Sequence, residues 1–522
     1  MQDFIIGAYF TSLTILFVFG SSGFVMIYYY MKHRGRIPAK AGELKNFPVV
    51  TIQLPLYNEY YVIERVIDAT CGIEYPKEKL EIQVLDDSTD ETVGIVAAKV
   101  AHYRSLGFDI KHVRRTNRAG YKAGALREGL VTARGEFVAI FDADFVPKSR
   151  FLMDTLPYFF TDEKIGLVQT RWEHLNSDYS FLTRVQAMAL DGHFVIEQNV
   201  RNKAGFFINF NGTGGIWRKS CIYDAGNWES DTLTEDLDLS YRAQLKGWKF
   251  KFLNDVTSPA ELPSEINALK SQQFRWTKGA IETARKILPR VWASSLPLEK
   301  KIHATFHLSN NIVFPFILAA AILNVPLIFI KHQGGYENYF SVMSVFAFAF
   351  IGSFLFYLYS QKDVYHDWQR RMLLFPLFMA GSMGFAVNNT KAVIEGLMKK
   401  KSEFVRTPKY SVVNRKDSWL DKKYVLKKFD YAVVLECILA LYCFFGVAAS
   451  IYYLELAAVP FQMLFSMGFG IVAWLSIKHA WLARKPAPAD EAVPAPPAIL
   501  EAIPAVIPSV SEEVLPEPVL VD

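Results

Sequence analysis

The stretch EIQVLDDSTD, residues 81–90, is an apolar run that ends abruptly in acid, and FVAIFDAD, residues 137–144, repeats the pattern. Short runs of Ile, Val and Phe bounded by turn formers read as buried strands, here over 81–86 and 136–141. Similar runs fall at 48–54, 165–170 and 248–253, with helical patterns between them. Strands alternating with helices over roughly 260 residues predict an α/β domain on a largely parallel sheet. In four of the runs chemistry-bearing residues stand at the C-terminal end, the edge where open α/β sheets take their ligands.

Outside this region the composition changes. Phe4 to Tyr30 holds no charged residue, ends in Tyr28, Tyr29 and Tyr30, and is followed at once by Lys32, Arg34 and Arg36. That is long enough to cross a bilayer core, with an aromatic belt and a basic flank. The acidic start at Asp3 and the length of the run argue for an anchor over residues 1–31 and against a cleaved signal peptide. Charge-poor stretches at about 308–330, 340–359, 430–450 and 456–477 bring the expected crossings to five. Segment 372–396 begins apolar but carries Asn388, Asn389, Lys391 and Glu395. Were it to cross, the basic loop from Lys399 to Lys428 would face outward, so it reads as interfacial or re-entrant. Five crossings place the N-terminus outside and the 32–307 region and the C-terminus in the cytoplasm. The parts are then an anchor (1–31), the α/β domain (45–263), an amphipathic interfacial helix (264–300), a membrane region (301–484) and a tail (485–522).

The 522 residues are 51% apolar and 21% charged, which excludes a purely disordered or fibrous chain. The net charge of +5 understates the basicity of the body, because Asp490, Glu491, Glu501, Glu512, Glu513, Glu517 and Asp522 meet no Lys or Arg in the tail. The tail, rich in Pro and Ala and without periodicity, is expected to be disordered. Basic residues beside apolar runs point to topology and membrane lipid, and no basic, aromatic-interleaved nucleic-acid module is present. Four cysteines without a CxxC pair support neither a disulfide framework nor a zinc site.

Asp142 and Asp144, one residue apart at a strand end, suit a hard divalent ion that bridges phosphates. A lone pair of this kind would more often cap a turn; the second cluster around Asp87, at a matching strand end, favours the ion. Lys122 lies in NRAGYKAGA, residues 117–125, where small residues let backbone amides and two cations approach a phosphate, although without the acidic neighbours it would more often be a loop and helix start with solvated charge. Thr234-Glu235-Asp236 precedes a helix-like stretch, Leu237 to Leu245, with Gly247 as its stop. Beyond capping that helix, it offers a carboxylate free of the metal that can accept a proton from an incoming hydroxyl. Gln272-Gln273-Phe274-Arg275-Trp276 lies in a helical run, 264–290, suited to a membrane surface. There Arg275 can clamp a pyrophosphate and Trp276, one turn from Gln272, can offer a flat face to a sugar, though an isolated Arg-Trp would more often anchor at the interface. The turn-rich Asn211-Gly212-Thr213-Gly214-Gly215 precedes Trp217, which near an acceptor site could pack on a saccharide.

Taken in order between two membrane segments, DDS, DAD, TED and QxxRW resemble the processive family 2 glycosyltransferases, which include cellulose, chitin and hyaluronan synthases. The wording LDDSTD (85–90), NRAGYKAGAL (117–126), FNGTGGIWR (210–218) and QQFRW (272–276) is most similar to the cellulose synthase-like A and C groups that make mannan and glucan backbones. The resemblance covers about 48–290 and implies a GT-A, Rossmann-like catalytic domain inserted between transmembrane helices. It implies Asp87, Lys122, Asp142, Gln272 and Arg275 on the nucleotide sugar, Asp142 and Asp144 on Mg²⁺ or Mn²⁺, and Asp236 as general base. Trp276, Trp217 and Glu235 would meet the acceptor. Phe404, Thr407 and Lys409, within 399–420, resemble a gating loop that closes over the nucleotide; a basic juxtamembrane loop on anionic lipid reads equally well. The cyclic-dinucleotide-binding domain of bacterial cellulose synthases and the cysteine-rich region of plant ones have no counterpart in this sequence.

The implied activity is inverting transfer of a hexose from UDP-glucose or GDP-mannose to a growing β-linked polysaccharide that is extruded across a membrane, bacterial or endomembrane. Its partners would be the nucleotide sugar, the nascent polysaccharide, membrane lipids and either accessory export proteins or further copies, with no nucleic acid. Transfer of a single sugar to a lipid or short acceptor is the alternative enzyme, and a nucleotide-binding membrane scaffold the alternative of another class. The presence of Asp236 and the scarcity of charge in the spans speak against the scaffold.

Overall fold

The computed structural model describes residues 1–35, 42, 44, 46–402, 404–420, 422–425 and 431–484. The tail expected over 485–522 and the domain start expected at residue 45 lie outside the described residues. Seven strands form one sheet in the order β3-β2-β1-β4-β6-β5-β7. They are β1 Val50–Leu56, β2 Leu80–Asp86, β3 Asp109–Arg114, β4 Phe137–Ile140, β5 Ile165–His174, β6 Gly215–Arg218 and β7 Lys249–Ala260. All pairings are parallel except those of β6, which runs antiparallel between β4 and β5. The parallel α/β expectation is thus met apart from one reversed strand.

Every residue of β1 and β2 is buried, because helices cover both faces, and such strands read as continuous apolar runs. β3 escapes the sequence reading for the opposite reason: as an edge strand it keeps one buried residue, Ile110. β6 is only four residues long and follows a glycine-rich turn. β5 and β7 run on past a bulge, where the partner of Arg171 jumps to Thr257, so both are longer than their apolar cores. That extension carries His174 and Ala260 to the ligand-binding edge.

Among the described residues five helices are long and apolar enough to cross a membrane: Gln2–His33, Leu298–Gln333, Glu337–Val364, Ala432–Tyr452 and Leu456–Leu482. Segment 372–396 is broken at Phe385 into Phe375–Gly384 and Ala386–Leu397. At about 1.5 Å per residue neither piece reaches across a hydrocarbon core of about 30 Å. The helix Ile266–Ala293 bridges the sheet domain and this helical part. Its buried Lys270 pairs with Glu436 at 2.7 Å, and its fully buried Lys278 pairs with Glu395 at 3.2 Å and donates to the Lys400 carbonyl at 2.6 Å. Removing one partner from a buried pair leaves an uncompensated charge, so the helix is held firmly in place.

Candidate active site

The C-terminal ends of β1, β2 and β4, the start of the helix Glu235–Leu245 and one face of Ile266–Ala293 line an open cleft. Asp87, Lys122, Asp142, Asp144, Glu235, Asp236, Gln272, Arg275, Trp276, Phe404, Thr407 and Lys409 all line it. The one departure is Trp217. Alternation along β6 sends Ile216 to one face of the sheet and Trp217 to the other, where it is fully buried against Phe210, Trp228 and Phe250. It is a core residue and does not meet a ligand.

The charges are arranged in pairs. Lys122 Nζ lies 2.5 Å from Asp142 Oδ1 and donates to the Gly212 carbonyl at 2.9 Å. Lys409 Nζ lies 2.5 Å from Asp144 Oδ2. Asp87 accepts from Arg115 Nε at 2.9 Å. Burial pushes Asp142 up, and neighbouring Asp144 adds to this, against the pull of Lys122. Burial alone would favour neutral Lys122, yet Asp142, Glu235 and Asp236 together hold it above its usual value. Two carboxylates that share a pocket and already attract ammonium groups make an oxygen donor set that fits a hard divalent cation.

Glu235 and Asp236 differ. Among the described residues Asp236 accepts only the backbone N–H of Leu237, at 2.8 Å, and forms no direct ion pair, although Lys122 and Arg275 stand near enough to draw its pKa down. A Cβ built on Gly212, whose φ is +80°, would lie 3.1 Å from Asp236 Oδ2 and 3.5 Å from Lys122 Nζ. Glycine is therefore required both by its left-handed backbone and by the carboxylate at its surface. Although part of Asp236 faces the cleft, the surrounding protein desolvates its carboxyl and Glu235 adds negative charge, so its pKa is raised, and burial raises Glu235 as well.

A segment after the helix Ala386–Leu397 lies across the cleft. Phe404 packs on Arg275, 4.6 Å from guanidinium to ring, and stacks on Tyr121. Arg406 pairs with Glu59 at 2.7 Å and donates to the Tyr57 carbonyl. Tyr57, Glu59 and Arg115 were not singled out in the sequence, and Arg406 entered only as part of the gating-loop stretch. The signal for the first two was the PLYNE run, residues 55–59, at the end of a predicted strand on the same edge. Arg118 lies 3.4 Å over the Tyr57 ring, making a flat cationic platform beside Asp87.

An open α/β sheet whose edge gathers two paired acids, a third unpaired acid and buried Lys and Arg is the arrangement of a sugar-transferring GT-A enzyme. Residues 48–279 match the model described as glycosyltransferase like family 2, and the chain belongs to the family 2 glycosyltransferases. It is 35% identical over 460 residues to glucomannan 4-beta-mannosyltransferase 9 of Arabidopsis thaliana, covering 83% of this chain and 82% of the relative. It is likewise 35% identical over 454 residues to glucomannan 4-beta-mannosyltransferase 1 of Cyamopsis tetragonoloba, covering 82% of each. With glucomannan 4-beta-mannosyltransferase 2 of Arabidopsis thaliana it shares 46% over 250 residues, 47% of each chain. Among solved structures it is similar in fold to the mannosyltransferase PcManGT from Pyrobaculum calidifontis in complex with GDP-Man and Mn²⁺. The TM-score is 0.53 at 18% identity, covering 75% of this chain and all of the other.

Proposed function

We propose that the enzyme transfers mannosyl units from GDP-mannose to the 4-hydroxyl of a growing β-linked polysaccharide, with inversion at the anomeric carbon. Asp236 accepts the proton of the acceptor hydroxyl as that oxygen attacks the anomeric carbon and the bond to the diphosphate breaks. Lys122 and Arg275 hold the departing diphosphate, Asp87 and the Tyr57–Arg118 platform hold the nucleoside, and Trp276 with Gln272 and Glu235 orients the acceptor sugar. Asp142 and Asp144 would hold Mg²⁺ or Mn²⁺, which when bound supplies positive charge against the diphosphate. Most of the acceleration then comes from positioning and charge stabilisation.

The observation that carries this reading is the position of Asp236, unpaired and raised, beside the same glycine as Lys122. The names of the relatives support mannose over glucose as the sugar moved. The basic flanks of the spans support a cytoplasmic cleft, and the place of the α/β domain between apolar helices, with Trp276 on the helix that bridges the two parts, supports delivery of the polymer across the membrane. Phe404, Thr407 and Lys409 close over the bound donor. Membranes containing the protein, offered GDP-mannose, UDP-glucose or UDP-N-acetylglucosamine with Mn²⁺, should make polymer from GDP-mannose that a β-1,4-mannanase digests. Polymer from UDP-glucose alone would refute the mannosyl assignment, and sealed vesicles that keep all polymer on the nucleotide side would refute extrusion.

A further inference from the structure

Along the binding edge the strands follow in the order β2, β1, β4, β6, β5. Asp87 follows β2 and the DAD acids follow β4, while β5 lies two strands further on, about 10 Å at the usual strand spacing of 4.7–4.9 Å. The last residue of β5 is His174, beyond the bulge, and it lines the cleft. Its side chain is only 3% exposed. Nε2 lies 3.1 Å from Asp191 Oδ1, while Nδ1 is buried and has no hydrogen-bond partner among the described residues. Asp191 is itself 2% exposed and is fixed by Gln361, at 3.2 Å, and by the Tyr365 hydroxyl.

The carboxylate can only accept, so in the tautomer that it selects Nε2 carries the hydrogen and the Nδ1 lone pair is left free. A buried acceptor without a donor is costly, and here the cleft is the remaining source of one. The donor cannot be an ionised diphosphate, which carries no O–H. A hard divalent ion prefers the oxygen ligands on the β4 side. A sugar hydroxyl satisfies both the chemistry and the distance. We infer that His174, oriented by Asp191, is a binding residue for a hydroxyl of the acceptor saccharide, on the side of the cleft away from the nucleotide. This rests on the proposed transfer to a polysaccharide.

The test uses the full-length enzyme in membranes with GDP-mannose, Mn²⁺ and a short β-1,4-linked manno-oligosaccharide as primer. His174→Phe keeps the ring's shape without the nitrogen, and should raise the primer KM about three- to tenfold, the worth of one neutral hydrogen bond. The KM for GDP-mannose, the affinity for GDP and the hydrolysis of GDP-mannose to water without primer should not change. His174→Asn, whose carbonyl oxygen falls near the Nδ1 position, should recover much of the loss. Asp191→Asn, which no longer fixes the lone pair toward the cleft, should weaken primer binding alone. A primer KM that stays at the wild-type value in both His174→Phe and Asp191→Asn overturns the inference while leaving the proposed function standing, and so does a loss confined to GDP-mannose. Wild-type enzyme that elongates primers from no nucleotide hexose would overturn both.

Discussion

The cleft holds two kinds of carboxylate. Asp142 and Asp144 each take a lysine ammonium at 2.5 Å, whereas Asp236 takes one backbone N–H and sits beside a second acid. Burial raises Asp142 as well as Asp236, but the ammonium of Lys122 draws Asp142 back toward the charged form that suits holding a cation. At Asp236 the negative charge of Glu235 adds to the rise, and a raised proton affinity is the property a general base needs. In the proposed reaction the same residue type would do two jobs because of what stands next to it.

The largest effect should come from neutralising the unpaired acid. Asp236→Asn is expected to lower kcat by about 10²–10⁴-fold, read as incorporation of labelled mannose at saturating donor. Less than tenfold would mean that the proton goes elsewhere. Asp142→Asn, by contrast, weakens a charge-assisted contact set, and should cost about 10- to 100-fold in kcat/KM for the donor with a raised Mn²⁺ requirement. If its loss fell on kcat alone, with no change in metal requirement, the division between the two sites would not hold.

The pH profile sharpens the contrast. Asp236 must be ionised to accept a proton, and burial together with Glu235 raises its pKa, so kcat should rise with pH through a range above that of ordinary carboxylates. Glu235→Gln removes the neighbouring negative charge and should move this acid limb to lower pH; a limb that stays put would assign it to another group. The smallest effect on chemistry is expected from Trp217→Phe. It should lower stability by about 0.5–3 kcal/mol in thermal unfolding and leave the oligosaccharide KM unchanged, because that indole faces the core.

The sequence revealed those parts whose physics is local. Buried parallel strands announced themselves as apolar runs, the acids at their ends as breaks in those runs, and the membrane helices as long uncharged stretches. It concealed what depends on a partner far along the chain. β3 and β6 need their neighbours to be strands at all, and Trp217 could be placed only once β6 had a register. Lys409 meets Asp144 across 265 residues, and Arg406 meets Glu59 across the same sheet edge. His174 lay past the bulge, where β5 no longer reads as apolar.

The central claim, that one cleft separates charge holding from proton transfer, is tested most directly by titrating GDP with Mn²⁺ into wild-type, Asp142→Asn and Asp236→Asn enzyme and assaying each sample for turnover. The account predicts that Asp142→Asn loses nucleotide affinity, and that Asp236→Asn binds GDP like the wild type while its turnover falls about 10²–10⁴-fold. Equal loss of GDP affinity in both variants, or polymer from Asp236→Asn at the wild-type rate, would contradict it.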